Sequence, residues 1–336
     1  MITRFFHAWE RRLAAVTTNR VVRPFEWGLE WIGGNHDPAM SPVETLTSWS
    51  AGVMSNTDDF FSIDPTDEYH LHGSELCFPS AFTTPHAENN TVYAQYYQAR
   101  RNGGRRRAVV ILPQWNAGPT EHLALARLIS RAGISSLRLS LPYHDRRMPP
   151  DLHRADYIVS ANVGRTLQVC RQAVLDARRA VDWLARQGYE RIGVLGTSLG
   201  SCLAMLTAAH EPRVTVAALN HISPYFADVV WEGLSTAHVR TSLDRGVELD
   251  RLRRLWLPIS PQPYIARMRG KQVLLVYARY DLSFPVRLSR QLVDDFRRHG
   301  ISPHVVILPC GHYSTGIAPF SWMDGYALVS FLRRRL

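Results

Sequence analysis

The chain is almost free of lysine, since Lys271 is the only one among its 39 lysines and arginines. No lysine follows a glycine-rich loop, which excludes a P-loop nucleotide-binding enzyme. The formal net charge is +10, but the arginines that carry it are spread along the whole chain. Nucleic-acid-binding proteins concentrate their positive charge in a patch or stripe. We therefore predict no nucleic-acid partner.

Cysteines and long apolar runs are scarce as well. The four cysteines show no Cys-x-x-Cys spacing, which favours free thiols over a disulfide-stapled secreted domain. No stretch reaches the roughly 18 apolar residues of a membrane span. The first residues also lack the apolar core and small-residue cleavage site of a secretory signal peptide. These absences favour a cytoplasmic enzyme.

After Val92 the chain alternates strand-like and helix-like segments. Short apolar runs predict strands, and apolar residues spaced by three and four predict amphipathic helices. We predict strands at 92–98, 108–112, 134–141, 192–195, 214–219, 273–278 and 304–308. Helices are predicted near 120–132, 167–187, 199–210, 286–299 and 319–335. The fold class is therefore α/β, with residues 92–336 forming one domain around a mostly parallel, helix-flanked sheet.

Two regions fall outside this alternation. Residues 1–91 are predicted to form a helical and irregular extension, in which residues 2–13 place their apolar side chains on one helical face and 25–32 add aromatic residues. This extension is expected to pack on the main domain or to form a homodimer contact, with a membrane-surface contact as the alternative. Residues 221–270 lie between two predicted strands, and an insertion there predicts a cap or lid.

A candidate nucleophile lies in the motif Gly196-Thr197-Ser198-Leu199-Gly200, between a predicted strand and a predicted helix. Glycines two positions before and after the serine let the chain reverse direction tightly. Such a turn lifts Ser198 Oγ above the sheet and points the Leu199 N–H at a developing oxyanion. The motif alone is a modest signal, because glycine and serine are common residues.

A candidate acid and base follow the serine in the order that a hydrolytic triad on such a sheet requires. Asp281 lies just after the strand at 273–278, and His312 lies just after the strand at 304–308. A serine hydroxyl needs a general base at neutral pH, and we assign that role to His312. Asp281 is expected to orient the imidazole. Asp228 is the rival acid, since its loop also follows a strand.

The loop after residue 112 is expected to supply a second oxyanion donor beside Leu199. Pro113 has no N–H, so Trp115 is the first candidate and Gln114 the second. Substrate sites are mainly apolar with a few placed polar groups. We predict that the substrate-binding residues are Asn116, Tyr143, His221, Trp231 and Trp256. This chemistry needs no metal, and the alternative is a metal site built from His70, His72, Cys77 and His86.

From about Val92 to its end, the chain resembles the α/β-hydrolase superfamily, in particular its esterase and dienelactone-hydrolase-like branches. The resemblance rests on the Ser198 motif with Asp281 and His312 after it. It implies an eight-stranded sheet, an acyl-enzyme, no metal or organic cofactor, and a small-molecule ester substrate. Dienelactone hydrolases proper have a cysteine nucleophile, so their specific activity does not transfer.

The expected function is therefore serine-dependent hydrolysis of a carboxylic ester, as in carboxylesterases. A serine peptidase or amidase, or an acyltransferase, is the alternative on the same triad. A catalytically inactive hydrolase fold that serves as a binding module is the alternative outside the enzymes.

Overall fold

The fold is centred on a nine-stranded sheet in a computed structural model that describes residues 1–34, 37–100 and 105–336. Its strands are β1 (His70–His72), β2 (Glu75–Pro79), β3 (Thr91–Tyr97), β4 (Arg107–Leu112), β5 (Ser135–Leu139), β6 (Arg191–Thr197), β7 (Val214–Asn220), β8 (Gln272–Ala278) and β9 (His304–Leu308). Their spatial order is β1-β2-β3-β5-β4-β6-β7-β8-β9. The pairs β1–β2, β2–β3 and β3–β5 are antiparallel, and the other pairs are parallel.

Helices cover both faces of this sheet. They are α1 (Ile2–Ala15), α2 (Pro42–Ser55), α3 (Thr57–Phe60), α4 (Leu123–Arg131), α5 (Val163–Arg186), α6 (Leu199–His210), α7 (Phe226–Glu232), α8 (Ala237–Leu243), α9 (Leu249–Leu255), α10 (Val286–Arg298) and α11 (Phe320–Arg335). Helices α1, α4 and α11 contribute to the core on one face, and α5, α6 and α10 to the core on the other. Within the described residues, no helix combines the length and apolar character needed to span a bilayer.

The central strands are apolar on both faces, which is the condition for burial between two helical layers. In β4, Val109 and Ile111 belong to the core on the α1 side, and Val110 and Leu112 belong to the core on the α5 side. All four side chains are fully buried. Alternate side chains of each central strand therefore contribute to the two cores on opposite faces of the sheet. The carboxyl ends of the parallel strands lie at one edge of the sheet. Each strand predicted after Val92 is present, and the predicted mostly parallel sheet is confirmed.

The region before residue 92 contains more regular structure than its sequence indicated. Strands β1 and β2 lie in a segment predicted to be irregular, and they extend the sheet across the expected boundary at residue 92. The sheet consequently has nine strands rather than eight. In β2 only Leu76 and Phe78 point into the core, so the apolar alternation is too short to stand out among the surrounding polar residues.

The aromatic segment at 25–32 does not form an α-helix. It begins with an isolated bridge between Glu26 and Asn162 and continues as a short 3₁₀ helix at Leu29–Trp31. The predicted N-terminal helix, by contrast, is confirmed as α1.

The segment at 221–270 lies between β7 and β8 and contains α7, α8 and α9; that it forms a cap or lid stays a prediction. Its Trp256 side chain is fully buried, donates from Nε1 to the Val163 carbonyl (3.1 Å), and lies edge-on to Phe226. Trp256 is therefore part of the core, and its role in substrate binding stays a prediction. Bulk and an apolar ring suit a core position as well as a pocket, so the sequence could not separate the two.

Candidate active site

Ser198 occupies a strained turn between β6 and α6. Its φ of 56° and ψ of −121° lie in a backbone region that residues with a side chain rarely adopt. A Cβ atom on Gly196 would lie 2.1 Å from the Gly200 carbonyl oxygen, and one on Gly200 would lie 2.0 Å from the Leu112 carbonyl oxygen. Only glycine fits at either position. The turn is also tied to β7, because the Ser198 N–H donates to the Asn220 carbonyl (2.7 Å).

Asp281 and His312 come together above the ends of β8 and β9. His312 Nδ1 donates to Asp281 Oδ2 (3.1 Å), and Asp281 Oδ1 accepts the N–H groups of Ser283 (2.8 Å) and Phe284 (2.7 Å). The Phe284 ring stacks on the His312 ring at 5.4 Å between centroids. A proton on Nδ1 leaves Nε2 as the basic nitrogen, which is the tautomer that a general base requires.

The two groups shift each other's pKa. Burial lowers the pKa of His312, but the charge and hydrogen bond of Asp281, with a contribution from Glu10, raise it above the ordinary value of 6.5. Burial raises the pKa of Asp281, but the charges and hydrogen bonds of His312 and His221 outweigh that effect and hold the pKa well below its usual value. Asp281 is therefore a carboxylate at neutral pH, and His312 holds a proton more readily than an ordinary histidine.

His221 is a second histidine on the same carboxylate. Its Nδ1 lies 2.9 Å from Asp281 Oδ2, and its ring is 4.7 Å from the His312 ring between centroids. The residue has a φ of 57°, directly after β7. It was predicted to bind substrate, but the structure directs its Nδ1 to the acid. A polar residue immediately after a parallel strand was the signal, and its partner could not be read from the sequence.

The alternative metal site indicated by the sequence can be compared with the clusters of ligand side chains in the structure. Among the described residues, the only group of three or more histidine, cysteine, aspartate or glutamate side chains whose ligand atoms all lie within 4.8 Å of one another is His221, Asp281 and His312. The hypothetical set of His70, His72, Cys77 and His86 does not assemble. Because both imidazoles already direct Nδ1 at Asp281 Oδ2, an ion between them would replace two hydrogen bonds.

The loop after β4 forms a turn beside Ser198. The Asn116 N–H donates to His144 Nε2 (2.9 Å), Asn116 Oδ1 accepts the Ala155 N–H (2.9 Å), and Trp115 Nε1 donates to the Ala155 carbonyl (2.8 Å). Asn116 thus shapes the loop, rather than only facing a ligand. Burial lowers the pKa of His144 to about 4, so the ring is neutral and its Nε2 remains an acceptor.

The loop after β4 and the start of α6 carry backbone N–H groups without partners in the described structure. In the described parts of the chain, neither the Gln114 N–H nor the Trp115 N–H makes a hydrogen bond. Leu199 is the first residue of α6, so its N–H has no partner within the helix. The carbonyls of Leu112 and Pro113 face Gly200 across the turn, which brings the loop next to the serine. These three N–H groups stay the predicted oxyanion donors.

Other predicted site residues lie elsewhere. Tyr143 is fully buried, and its hydroxyl bonds with His86 Nδ1 (3.0 Å) while burial raises its pKa to about 12. Its role in substrate binding stays a prediction, since the structure shows a buried side chain bonded to His86. Asp228, the rival acid, accepts from Arg253 Nε (2.5 Å) rather than from His312. Trp231 is half-buried, with the Arg240 guanidinium 5.4 Å from its ring centroid.

Comparison with known proteins places this geometry in context. A family described as alpha/beta hydrolase domain containing 18 matches residues 98–254, a range that includes Ser198. An acylaminoacyl peptidase from Pyrococcus horikoshii superposes with a TM-score of 0.60 at 14% identity, covering 81% of this chain and 42% of the peptidase. Acetyl xylan esterase 1 from Thermoanaerobacterium sp. superposes with a TM-score of 0.58 at 14% identity, covering 91% of this chain and 99% of the esterase. A lipase in its open form gives 0.56 at 14% identity, covering 77% and 98%.

The chain has the α/β-hydrolase fold, and the resemblance of its sequence to that superfamily is confirmed. It spans about two fifths of the length of the peptidase structures that it matches. Identities this low establish the fold and not the substrate.

The opposite shifts of two buried histidines can be measured directly. In an NMR titration of the imidazole resonances, we expect His312 to titrate above 6.5 and His144 near 4. The charge of Asp281 stabilises the protonated His312 ring, whereas for His144 the cost of burial outweighs the Pro142 carbonyl and Asp145, which favour the protonated ring. His312→Gln and His144→Gln assign the two signals. A His312 midpoint below 6.5 would show that Asp281 does not hold the imidazole.

Proposed function

We propose that the chain hydrolyses carboxylic esters through an acyl-enzyme on Ser198. The observation that carries the proposal is the hydrogen bond from His312 Nδ1 to the buried Asp281 carboxylate, in a chain that also holds Ser198 on a strained turn tied to the end of β7. Within the described residues, Ser198 Oγ makes no hydrogen bond. Bonds between nucleophile and base are often long before substrate binds.

The reaction uses these groups in sequence. His312 Nε2 accepts the Ser198 proton as Oγ attacks the carbonyl carbon, and Asp281 stabilises the imidazolium without taking the proton. The N–H of Leu199 and that of Trp115 or Gln114 stabilise the oxyanion. The imidazolium then protonates the departing alcohol, and the acyl group stays on Oγ. Water, activated by the same histidine, releases the acid and restores the serine.

Two considerations support an ester rather than a peptide substrate. The structural match extends over nearly all of an esterase and of a lipase but over 42% of a peptidase. An alcohol is also a better leaving group than an amine, so it demands less of the general acid. For contacts with the acyl or alcohol part we propose Trp231, together with Gln114 Oε1, which is buried and without a partner in the described structure.

Substitutions in the triad test the catalytic roles. Ser198→Ala is expected to abolish both labelling by a fluorophosphonate and turnover of p-nitrophenyl esters. Asp281→Asn is expected to lower kcat by about ten-thousandfold, the loss known for a serine protease whose histidine tautomer is no longer enforced. Asp228→Asn is the matched control, because that carboxylate is also buried but binds Arg253.

The control should keep kcat within a few-fold of the parent, even if it lowers stability. A larger loss of kcat in Asp228→Asn than in Asp281→Asn would reverse the assignment of the acid. Full labelling of the Ser198→Ala protein would remove Ser198 as the nucleophile.

A substrate panel separates ester from amide hydrolysis. We expect turnover of p-nitrophenyl esters with short acyl or aromatic groups, and no cleavage of matched p-nitroanilides. If Trp231 lines the substrate site, Trp231→Ala should lower kcat/KM about tenfold. The effect is this small because only part of the apolar surface of the ring would contact the substrate. Cleavage of the anilides with no ester turnover would favour the amidase alternative.

A further inference from the structure

Helix α1 lies against both loops that carry the candidate acid and base. The Phe6 ring stacks on Tyr280, the residue before Asp281, at 4.4 Å between centroids and 6° between planes. Beyond the helix, Arg20 donates to the Tyr313 hydroxyl (3.0 Å). The N-terminal segment is therefore packed on the active-site loops themselves, and not only on the distant part of the core.

Glu10 makes the most specific of these contacts. Its side chain is fully buried. Oε2 accepts the Tyr313 N–H (2.8 Å), and Oε1 accepts both the Ser314 N–H (3.0 Å) and the Ser314 hydroxyl (2.7 Å). All three groups are donors, which is the environment that a carboxylate requires. They follow His312 directly in the chain.

The loop is shaped around this carboxyl group. A Cβ atom on Gly311 would lie 2.2 Å from Glu10 Cδ, so a side chain there would displace Glu10. The Gly311 N–H donates to Ser314 Oγ (2.9 Å), which in turn donates to Glu10. Glu10 thus closes a hydrogen-bonded turn that has His312 at its centre.

Packing alone would not need a carboxylate here. Burying a charged group costs free energy unless it is fully hydrogen-bonded, and an apolar residue at this position of α1 would serve packing alone. We propose that Glu10 is a positioning residue of the hydrolase: it fixes the turn at 310–315 so that the His312 imidazole is held in place for Ser198. This inference rests on the function proposed above.

The charge of Glu10 also acts on the imidazole. The titratable groups that face His312 from the surrounding elements are Asp281, His221, Glu10 and Tyr313. Asp281 is the main reason that the pKa of His312 lies above its usual value, and Glu10 adds to that effect. Removing the negative charge of Glu10 should therefore lower the pKa of His312.

The test compares two buried glutamates in the full chain. Glu10→Gln keeps the shape of the side chain but removes its charge and turns an amide toward a donor. Glu211→Gln is the control, because Glu211 is also buried, binds Arg213, and follows the far end of α6 from Ser198. That helix has 12 residues and so separates the two sites by about 18 Å.

We expect Glu10→Gln to lower kcat for a p-nitrophenyl ester by about 10- to 100-fold with little change in KM, because a small displacement of a catalytic group has this cost. The acid limb of the kcat/KM profile should move to lower pH, since activity requires neutral His312. Glu211→Gln should change neither kcat nor the profile, although both variants should unfold at lower urea concentration.

Equal loss of stability in the two variants, with unchanged kcat and an unmoved pH profile for Glu10→Gln, would overturn the proposal. If Glu10→Gln does not fold, Ser314→Ala removes one of the same hydrogen bonds and should show a smaller loss in kcat. An inactive parent protein would contradict the proposed function instead. In that case the NMR midpoint of His312 decides, and a midpoint that does not fall in Glu10→Gln counts against the positioning role of Glu10.

Discussion

The buried carboxylate of Asp281 is the constraint on which the arrangement of the site depends. A charge in this position must be neutralised by donors, and the surrounding loops supply them. His221 after β7 and His312 after β9 bond to Oδ2, while Ser283 and Phe284 after β8 bond to Oδ1. Three adjacent strand ends are thus drawn to one side chain. The loops do not merely lie near one another; each supplies a donor that the carboxylate needs.

Support for this centre comes from both helical layers. On one face α6 contributes Ser201, whose hydroxyl donates to the His221 carbonyl (2.6 Å). On the other face, α11 contributes Asp324, which accepts from Asn220 Nδ2 (2.9 Å), and α1 contributes Glu10. Burial raises the pKa of Asp324 to about 6. The strained serine turn is held by the same set of elements, so the geometry of the site belongs to the sheet and its two layers together.

The sequence predicted those parts of the site that depend on local pattern. Ser198 could be found because the turn admits only glycine at two fixed positions, and Asp281 and His312 because each follows an apolar strand. Residues whose role depends on side-chain direction could not be found in this way. Tyr143 and Trp256 are chemically suited to a pocket, but the fold buries both. Glu10 is about 300 residues from its partners along the chain, and nothing local to α1 distinguishes it from a solvent-facing glutamate.

The most direct test of covalent catalysis is the chemical state of the protein during turnover. The reaction with a p-nitrophenyl ester should be quenched in acid within the first turnover, digested, and mapped by mass spectrometry. Our account predicts one acyl group on the peptide that contains Ser198, and no acyl group in Ser198→Ala. In Asp281→Asn the acylated peptide should accumulate further when the substitution slows deacylation more than acylation. Ester turnover with no acylated peptide, or with the acyl group on another residue, would contradict it.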